Sequence, residues 1–383
     1  MTLLYVLLAL LVFGILVLVH ELGHFLVAKA FGVGVREFSI GMGPPIFSWK
    51  GKRRWNDKKT DAEPDADVPE TDAVPEGNPE NEEAEECVTV YSLRSIPIGG
   101  YVSMIGEDEE SDSDASFEKK NVWKRIAIVL AGPVMNLLLG FILMLVLVLC
   151  TTHPDTGKTV LLSNQIGGFQ EGSVSHEYLQ IGDEVIRVNG VPVHTGNGLI
   201  YEIMNQGYEP LDLVVIRDGQ RVQLDDVVFP GMTEQGIQFG NADFKVYAER
   251  VTFGSVIKHT VYRSFSTVKM IFDQLIDLLT GRFGLKAVSG PVGVTEAMGN
   301  AAKDGFSTFL NLIVIITVNL GVFNLLPIPA LDGGRLLFLL AEAIARRPLN
   351  KKIEGYINAG GLAVLFFIMI VVTCKDIVGL FIK

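Results

Sequence analysis

Two histidines and a glutamate, His20, Glu21 and His24, lie in a run of apolar residues near the start of the chain. Residues four apart share one face of a helix, so both imidazoles can bind the same metal ion. In the pattern H-E-x-x-H, two neutral imidazoles hold Zn²⁺ and the glutamate takes a proton from the attacking water. The spacing predicts zinc-dependent hydrolysis with Glu21 as the catalytic base.

A third zinc ligand must come from elsewhere, because catalytic zinc sites have three protein ligands and an open fourth position. The best candidate is Asp332, in the stretch NLLPIPALDGG. Pro327 and Pro329 break the preceding helix there, and Gly333 and Gly334 permit close backbone approach. Irregular backbone at membrane depth is tolerated where protein buries it or water reaches it, as at an active site.

These ionisable groups lie where membrane spans are expected. Such a group costs at least about 2.5 kcal/mol at the centre of a spanning helix, so it persists mostly where it has partners and a task. A helix from Leu3 to His20 rises about 26 Å through a core about 30 Å thick, and Asp332 also follows the end of a span. Two plainer interpretations stay open: polar residues that only hold helices together, and a helix stop at the membrane interface.

The composition is typical of a membrane protein. The chain has 383 residues, 49% of them hydrophobic, and a positive mean hydropathy. Spans with their flanks are predicted at residues 1–34, 125–150, 306–334 and 356–375. We predict a polytopic α-helical membrane protein with four transmembrane helices, an inserted extracytoplasmic β-rich domain and short membrane-associated β segments. A signal peptide is disfavoured, because no positive charge precedes the first apolar run and the run is too long.

Basic residues predict the orientation, since short cytoplasmic flanks collect lysine and arginine. Three basic clusters lie after the first span, before the second, and between the third and fourth. They are Arg36, Lys50, Lys52, Arg53 and Arg54; Lys119, Lys120, Lys124 and Arg125; and Arg335, Arg346, Arg347, Lys351 and Lys352. All three can lie inside together, which puts both termini outside and the active site near the cytoplasmic side.

The loops differ in composition. In the cytoplasmic loop, residues 35–124, short β segments flank an acidic insert at residues 57–86 that we predict to be disordered. Outside, residues 158–230 alternate β-type runs with turns and predict a small β-rich domain. Residues 252–305 predict amphipathic helices and a connector. A second acidic run, residues 107–114, lacks the glycine and the terminal glutamate of an EF-hand.

Charge and cysteine usage argue against several classes of function. The net charge of −12 lies almost wholly in the acidic insert, and no basic patch with interleaved aromatic residues indicates nucleic-acid binding. The three cysteines are scattered, so neither a disulfide framework nor a cysteine zinc site is indicated.

Four further stretches accompany HELGH: IPIGGYVSMIGE before the second span, AGPVMN within it, SGPVGV before the third and NLLPIPALDGG at its end. Together they resemble the site-2 protease family of intramembrane zinc proteases, most closely its bacterial regulator of sigma-E protease group. The resemblance covers nearly the whole chain. It implies a multi-pass zinc metalloprotease of the bacterial inner membrane, with both termini extracytoplasmic.

The resemblance also implies roles for single residues. It makes His20, His24 and Asp332 the zinc ligands and Glu21 the base. It adds Asn324 as a residue that holds the substrate near the metal.

The same resemblance identifies residues 158–230 as a PDZ domain, from the stretch IGDEVIRVNG. The chain has room for one such domain, whereas some members have two, and it also carries the acidic insert. A PDZ domain could read exposed substrate C-termini or act as a size filter that admits only substrates already trimmed. The resemblance favours the filter.

A substrate helix must be unwound before attack, because its carbonyls are already hydrogen-bonded. An extended segment can then be held by addition to a strand edge. We expect the strand that contains Gly99, Gly100, Tyr101 and Val102 to supply that edge.

The implied substrates are single-span proteins of the lipid bilayer, such as an anti-sigma factor or remnant signal peptides. The competing interpretation is a catalytically idle membrane scaffold whose PDZ domain binds exported proteins, although a structural zinc site has no need of Glu21. A metal transporter would repeat polar residues across several spans, and the second and fourth carry few.

Overall fold

The computed structural model describes residues 3–54, 88–107, 111–152, 157–234, 236–284, 288–347 and 349–382. The predicted disordered insert at residues 57–86 lies outside the described residues. The chain divides into two compact units. The first comprises Met1–Leu139 and Leu320–Ile370, and the second comprises Gly140–Asn319 and Val371–Lys383.

The described helices are α1 (Leu3–Ala30), α2 (Val122–Cys150), α3 (Gly196–Gln206), α4 (Phe253–Leu279), α5 (Pro291–Asp304), α6 (Phe306–Leu325), α7 (Asp332–Ala345) and α8 (Lys351–Ile382). The described strands are β1 (Val35–Arg54), β2 (Val88–Met104), β3 (Leu161–Phe169), β4 (Glu184–Val188), β5 (Val191–Pro192), β6 (Leu211–Arg217), β7 (Gln220–Val227), β8 (Gly231–Glu234), β9 (Ile237–Gly240) and β10 (Phe244–Glu249).

Four of the described helices, α1, α2, α6 and α8, are long and apolar enough to cross a membrane. The predicted set of four spans is confirmed at this level. Large apolar side chains on these helices are exposed, as for Leu4 and Phe367. Since water would disfavour such surfaces and lipid would not, the exposed faces are consistent with a membrane protein.

The first unit is built around close packing of α1 on α2. A Cβ added to Gly23 of α1 would lie 2.7 Å from the carbonyl carbon of Ala131. Small residues let membrane helices approach this closely. Pro133 lies inside α2 and lacks the N–H that would bond to the Val129 carbonyl, so its ring crowds that turn. The backbone of α2 therefore comes within reach of side chains on α1.

Strand β1 is flanked on both sides by β2. Residues Glu37 to Ile40 pair with Val90 to Leu93 on one side and with Gly100 to Ser103 on the other. Gly99, at φ +80°, lies where the chain turns back, a conformation that glycine adopts without strain. The returning arm of β2, Gly100–Met104, consequently pairs with β1 on one edge, and no described strand pairs with its other edge.

Glu37 of β1 links the first arm of β2, which precedes Gly99, to the returning arm, which follows it. Its carboxylate accepts hydrogen bonds from Ser92 and Arg94 of the first arm and from the Tyr101 hydroxyl of the returning arm. Burial alone would raise the pKa of Glu37, but these hydrogen bonds lower it below its ordinary value. Burial and the Glu37 carboxylate raise the pKa of Tyr101 to about 12. The carboxylate is therefore ionised and the phenol neutral at physiological pH, which keeps the bond between them.

The second unit contains an antiparallel sheet in the order β10-β3-β4-β6-β7. Its core is apolar and fully buried, with Ile166, Leu199, Ile203 and Leu213 at its centre. Helix α3 begins at the N-cap Thr195, whose side chain accepts from the Gly198 N–H. Since β10 pairs with β3, the sheet continues to Glu249.

Candidate functional site

Three potential metal ligands meet in the first unit. Nε2 of His20 lies 2.9 Å from Oδ2 of Asp332, and Nε2 of His24 lies 3.4 Å from the same oxygen. The two Nε2 atoms are 3.2 Å apart. Both histidines are buried, at 7% and 8% exposure. The structure thus brings together the residues that the sequence singled out as candidate zinc ligands.

These separations fit a tetrahedral zinc site. Two ligands that are each 2.0–2.1 Å from one ion at the tetrahedral angle lie roughly 3.3 Å apart. Oδ2 of Asp332 is buried and has no hydrogen bond within the described chain, although two imidazole nitrogens face it. A buried carboxylate oxygen without a donor is costly unless a cation completes its surroundings.

The backbone of α2 orients one imidazole. Nδ1 of His24 lies 2.8 Å from the Ile128 carbonyl oxygen. A carbonyl only accepts, so Nδ1 carries the proton and donates it, which leaves the Nε2 lone pair free for a metal. The sequence motif predicted His24 as a ligand but gave no indication of the partner that fixes its tautomer.

The space for the ion depends on a glycine that sequence reasoning missed as a site residue. A Cβ added to Gly132 of α2 would lie 2.8 Å from Nε2 of His20 and closer still to Nε2 of His24. The bare Cα therefore faces the place where both ligand atoms point. The only sequence signal for this residue was its position in AGPVMN.

Asp332 reaches the site because the chain is irregular between α6 and α7. Helix α6 ends at Leu325, and Asp332 is the first residue of α7. A Cβ on Gly333 would overlap the carbonyls of the turn that follows α6, and a Cβ on Gly334 would lie 3.0 Å from the Pro329 Cα. Both glycines therefore permit the close backbone approach that lets α7 start beside α1.

Glu21 lines a cavity of about 370 Å³ together with the three candidate ligands. The returning arm of β2 forms another wall, from Tyr101 to Met104. Gly100 also lies close, since a Cβ there would be 3.6 Å from Cγ of Glu21. One cavity thus joins a carboxylate, a candidate metal centre and a strand edge.

Two predicted site residues are placed differently. The Asn324 side chain donates to the Leu320 carbonyl at 2.9 Å, one turn back on its own helix, and it is not among the residues that line the cavity. Gly99 forms the turn before the arm instead of a cavity wall. The substrate-holding role of both residues stays a prediction.

Comparison with known proteins identifies one family and several relatives. The pattern that defines the family described as Peptidase family M50 matches residues 8–56 and 82–368. A protein of Clostridium acetobutylicum is 32% identical over 375 residues, which cover 97% of each chain. "Zinc metalloprotease RasP" of Bacillus licheniformis is 29% identical, over 97% of this chain and 98% of its own. "Regulator of sigma-W protease RasP" of Bacillus subtilis is 28% identical, over 97% of both chains.

Replacing Gly132 by alanine should weaken the binding of zinc to the protein. The new methyl group would occupy the space between the two Nε2 atoms, so we expect zinc affinity to fall at least tenfold. Metal content and chelator competition on the purified full chain measure this. The control is Gly360→Ala in α8, where a Cβ has open space within 4 Å. Wild-type zinc affinity in Gly132→Ala, with Gly360→Ala also unchanged, would contradict the placement of the ion.

Proposed function

Because the chain belongs to peptidase family M50, we propose that this zinc metalloendopeptidase cuts peptide bonds inside the membrane-spanning segments of single-span proteins. The observation that carries the proposal is the position of the cavity. Two candidate ligands and Glu21 lie on α1, one of the four apolar helices, and not on a soluble domain. With α1 crossing the bilayer, a substrate bond cut beside these residues lies at membrane depth.

In this proposal His20, His24 and Asp332 hold the zinc ion. When bound, zinc polarises the scissile carbonyl and makes water a stronger nucleophile at neutral pH. Glu21 takes the proton from the attacking water and later delivers it to the leaving amine nitrogen. His20 and His24 are buried, and low-dielectric surroundings strengthen the electrostatic effect of such a site on the reacting carbonyl.

The returning arm of β2 is proposed to hold the unwound substrate. The Met104 N–H points away from β1, since it donates to Oε2 of Glu107 at 3.3 Å. Alternate residues of a strand direct their N–H groups to the same edge, so those of Val102 and Gly100 face the same way. A substrate segment can pair with them as an added strand beside Glu21.

Substituting proline for Val102 should slow cleavage without displacing the arm. Proline removes the edge N–H and is tolerated on an edge strand. Losing one main-chain hydrogen bond of about 1 kcal/mol predicts a roughly fivefold to tenfold lower kcat/KM. Val102→Ala, which shortens the side chain and keeps the N–H, serves as the control. Equal rates for both variants would exclude pairing at this position.

The sheet domain, Leu161–Glu249, is proposed to be an extracytoplasmic PDZ domain that filters substrates by size. The supporting observation concerns the cleft between α3 and β9. Arg282, just after α4, donates to the Asn205 carbonyl of α3 at 2.6 Å and to the Gln238 carbonyl of β9 at 3.4 Å. Phe283 lies beside Phe239, with ring centroids 6.3 Å apart. Arg282 and Phe283 thus lie against this cleft, which leaves less room there for a substrate C-terminus.

Replacing Leu161–Glu249 by a short flexible linker tests the filter. A filter predicts that substrates with a large outside domain become cleavable at a rate within about threefold of trimmed substrates. The full chain, assayed in parallel, should cut only the trimmed form. If the deletion instead abolished cleavage of trimmed substrates while zinc content stayed unchanged, the domain would be a recognition module.

The proposed substrates are single-span proteins with their N-termini inside, such as an anti-sigma factor or remnant signal peptides. The name of the Bacillus subtilis relative, a regulator of sigma-W, supports the first class. We place the chain in the bacterial inner membrane, with both termini outside and the metal centre near the cytoplasmic side. The three basic clusters favour this orientation, because they all lie in the two loops that join the first span to the second and the third to the fourth.

The direct test is cleavage by the full chain in lipid vesicles, with a trimmed single-span substrate. Glu21→Gln should bind zinc normally and cut at least a thousandfold more slowly, because the base is lost. Zinc removal should abolish cutting, and added zinc should restore it. Glu209→Gln, at an exposed residue of the sheet domain, should cleave at the wild-type rate. Zinc binding without any cleavage by wild type would favour the scaffold instead.

A further inference from the structure

Asn136 of α2 lies beside the candidate metal centre without any role assigned so far. It is fully buried, at 0% exposure, and comes one helical turn after Gly132. Its side-chain amide group lies 3.1 Å from Nδ1 of His20. Its Oδ1 makes no hydrogen bond within the described residues, a costly arrangement for a buried amide oxygen.

Which ring nitrogen of His20 carries the proton decides whether Asn136 donates or accepts a hydrogen bond in this contact. Nε2 of His20 faces Asp332 and Nε2 of His24, so a metal would bind through Nε2. A neutral imidazole carries one proton, which must then be on Nδ1. A protonated Nδ1 cannot accept from the Asn136 amide N–H, since two donors would face each other.

A half turn of the amide resolves both difficulties. The amide oxygen and nitrogen occupy nearly equivalent positions, and their assignment follows from the hydrogen-bond network. With Oδ1 toward His20, the oxygen gains a donor and the Nδ1 proton gains an acceptor. His24 already has the matching arrangement, because its Nδ1 faces the Ile128 carbonyl of the same helix.

We propose that Asn136 is a positioning residue for zinc, whose Oδ1 accepts the Nδ1 proton of His20 and so fixes its tautomer and ring orientation. This inference rests on one part of the proposed function, the binding of zinc by His20, His24 and Asp332. Helix α2 then accepts a hydrogen bond from Nδ1 of each imidazole. The Ile128 carbonyl accepts from His24, and the Asn136 side chain accepts from His20. Such partners of metal-binding histidines typically contribute 10–100-fold to metal affinity.

Two substitutions separate this role from simple space filling. Asn136→Leu keeps the approximate volume and removes every polar atom, so zinc affinity should fall about 10–100-fold. Asn136→Asp keeps an acceptor and no donor, so affinity should stay within about threefold of wild type or rise. Thr317→Val removes another buried polar group from a span, outside the site, and should leave affinity unchanged.

The measurement is zinc affinity of the metal-free full chain by chelator competition, together with the visible absorption spectrum of its Co²⁺ form. A perturbed Co²⁺ spectrum is expected for the leucine variant and a wild-type spectrum for the aspartate variant. Normal affinity in Asn136→Leu would overturn the proposal. An aspartate variant that is folded by circular dichroism and as weak as the leucine variant would overturn it too.

Folding and function are kept apart in this design. If Asn136→Leu does not fold, Asn136→Ala replaces it with the same expectation, because it only removes atoms. No substrate enters the assay. A wild-type chain that binds zinc and cleaves nothing would therefore contradict the proposed function while leaving the assignment of Asn136 standing.

Discussion

The structure depends on one constraint: polar atoms placed in an apolar helix must find partners inside the protein. Helix α1 carries two imidazoles into such surroundings, and α2 approaches closely enough to meet them. Gly23 and Gly132 make that approach sterically possible, since a Cβ on either would overlap the opposite helix. The Ile128 carbonyl then binds His24. The contacts with α2 that give the Nδ1 atoms of the histidines a partner also direct their Nε2 atoms toward Asp332.

The other elements of this unit bring the remaining cavity residues to the two histidines. The irregular segment between α6 and α7 delivers Asp332, and the two glycines after it let α7 start against that segment. The β1–β2 sheet brings an edge that no described strand pairs with beside Glu21, and the Glu37 carboxylate bonds to both arms of β2. The candidate metal ligands, the Glu21 carboxylate and the strand edge thus come from separate parts of the chain and line one cavity.

Much of this was predictable from local patterns. The spans follow from apolar length, and the ligand candidates from residue type and spacing in HELGH and LDGG. The contacts that orient the ligands were not predictable, because His24 and Ile128 are 104 residues apart and His20 and Asn136 are 116 apart. The way in which the helices cross decides such pairings, and a single sequence does not predict that crossing. The three-stranded arrangement of β1 and β2 was missed for the same reason, since it requires the chain to return to one strand twice.

We infer that one zinc ion lies between α1 and the start of α7, against Gly132. Anomalous X-ray scattering at the zinc edge from crystals of the zinc-loaded full chain tests it most directly. We expect a single strong peak within about 2.0–2.1 Å of Nε2 of His20, Nε2 of His24 and Oδ2 of Asp332. A zinc peak bound by any other set of residues, or one that excludes Asp332, would contradict it.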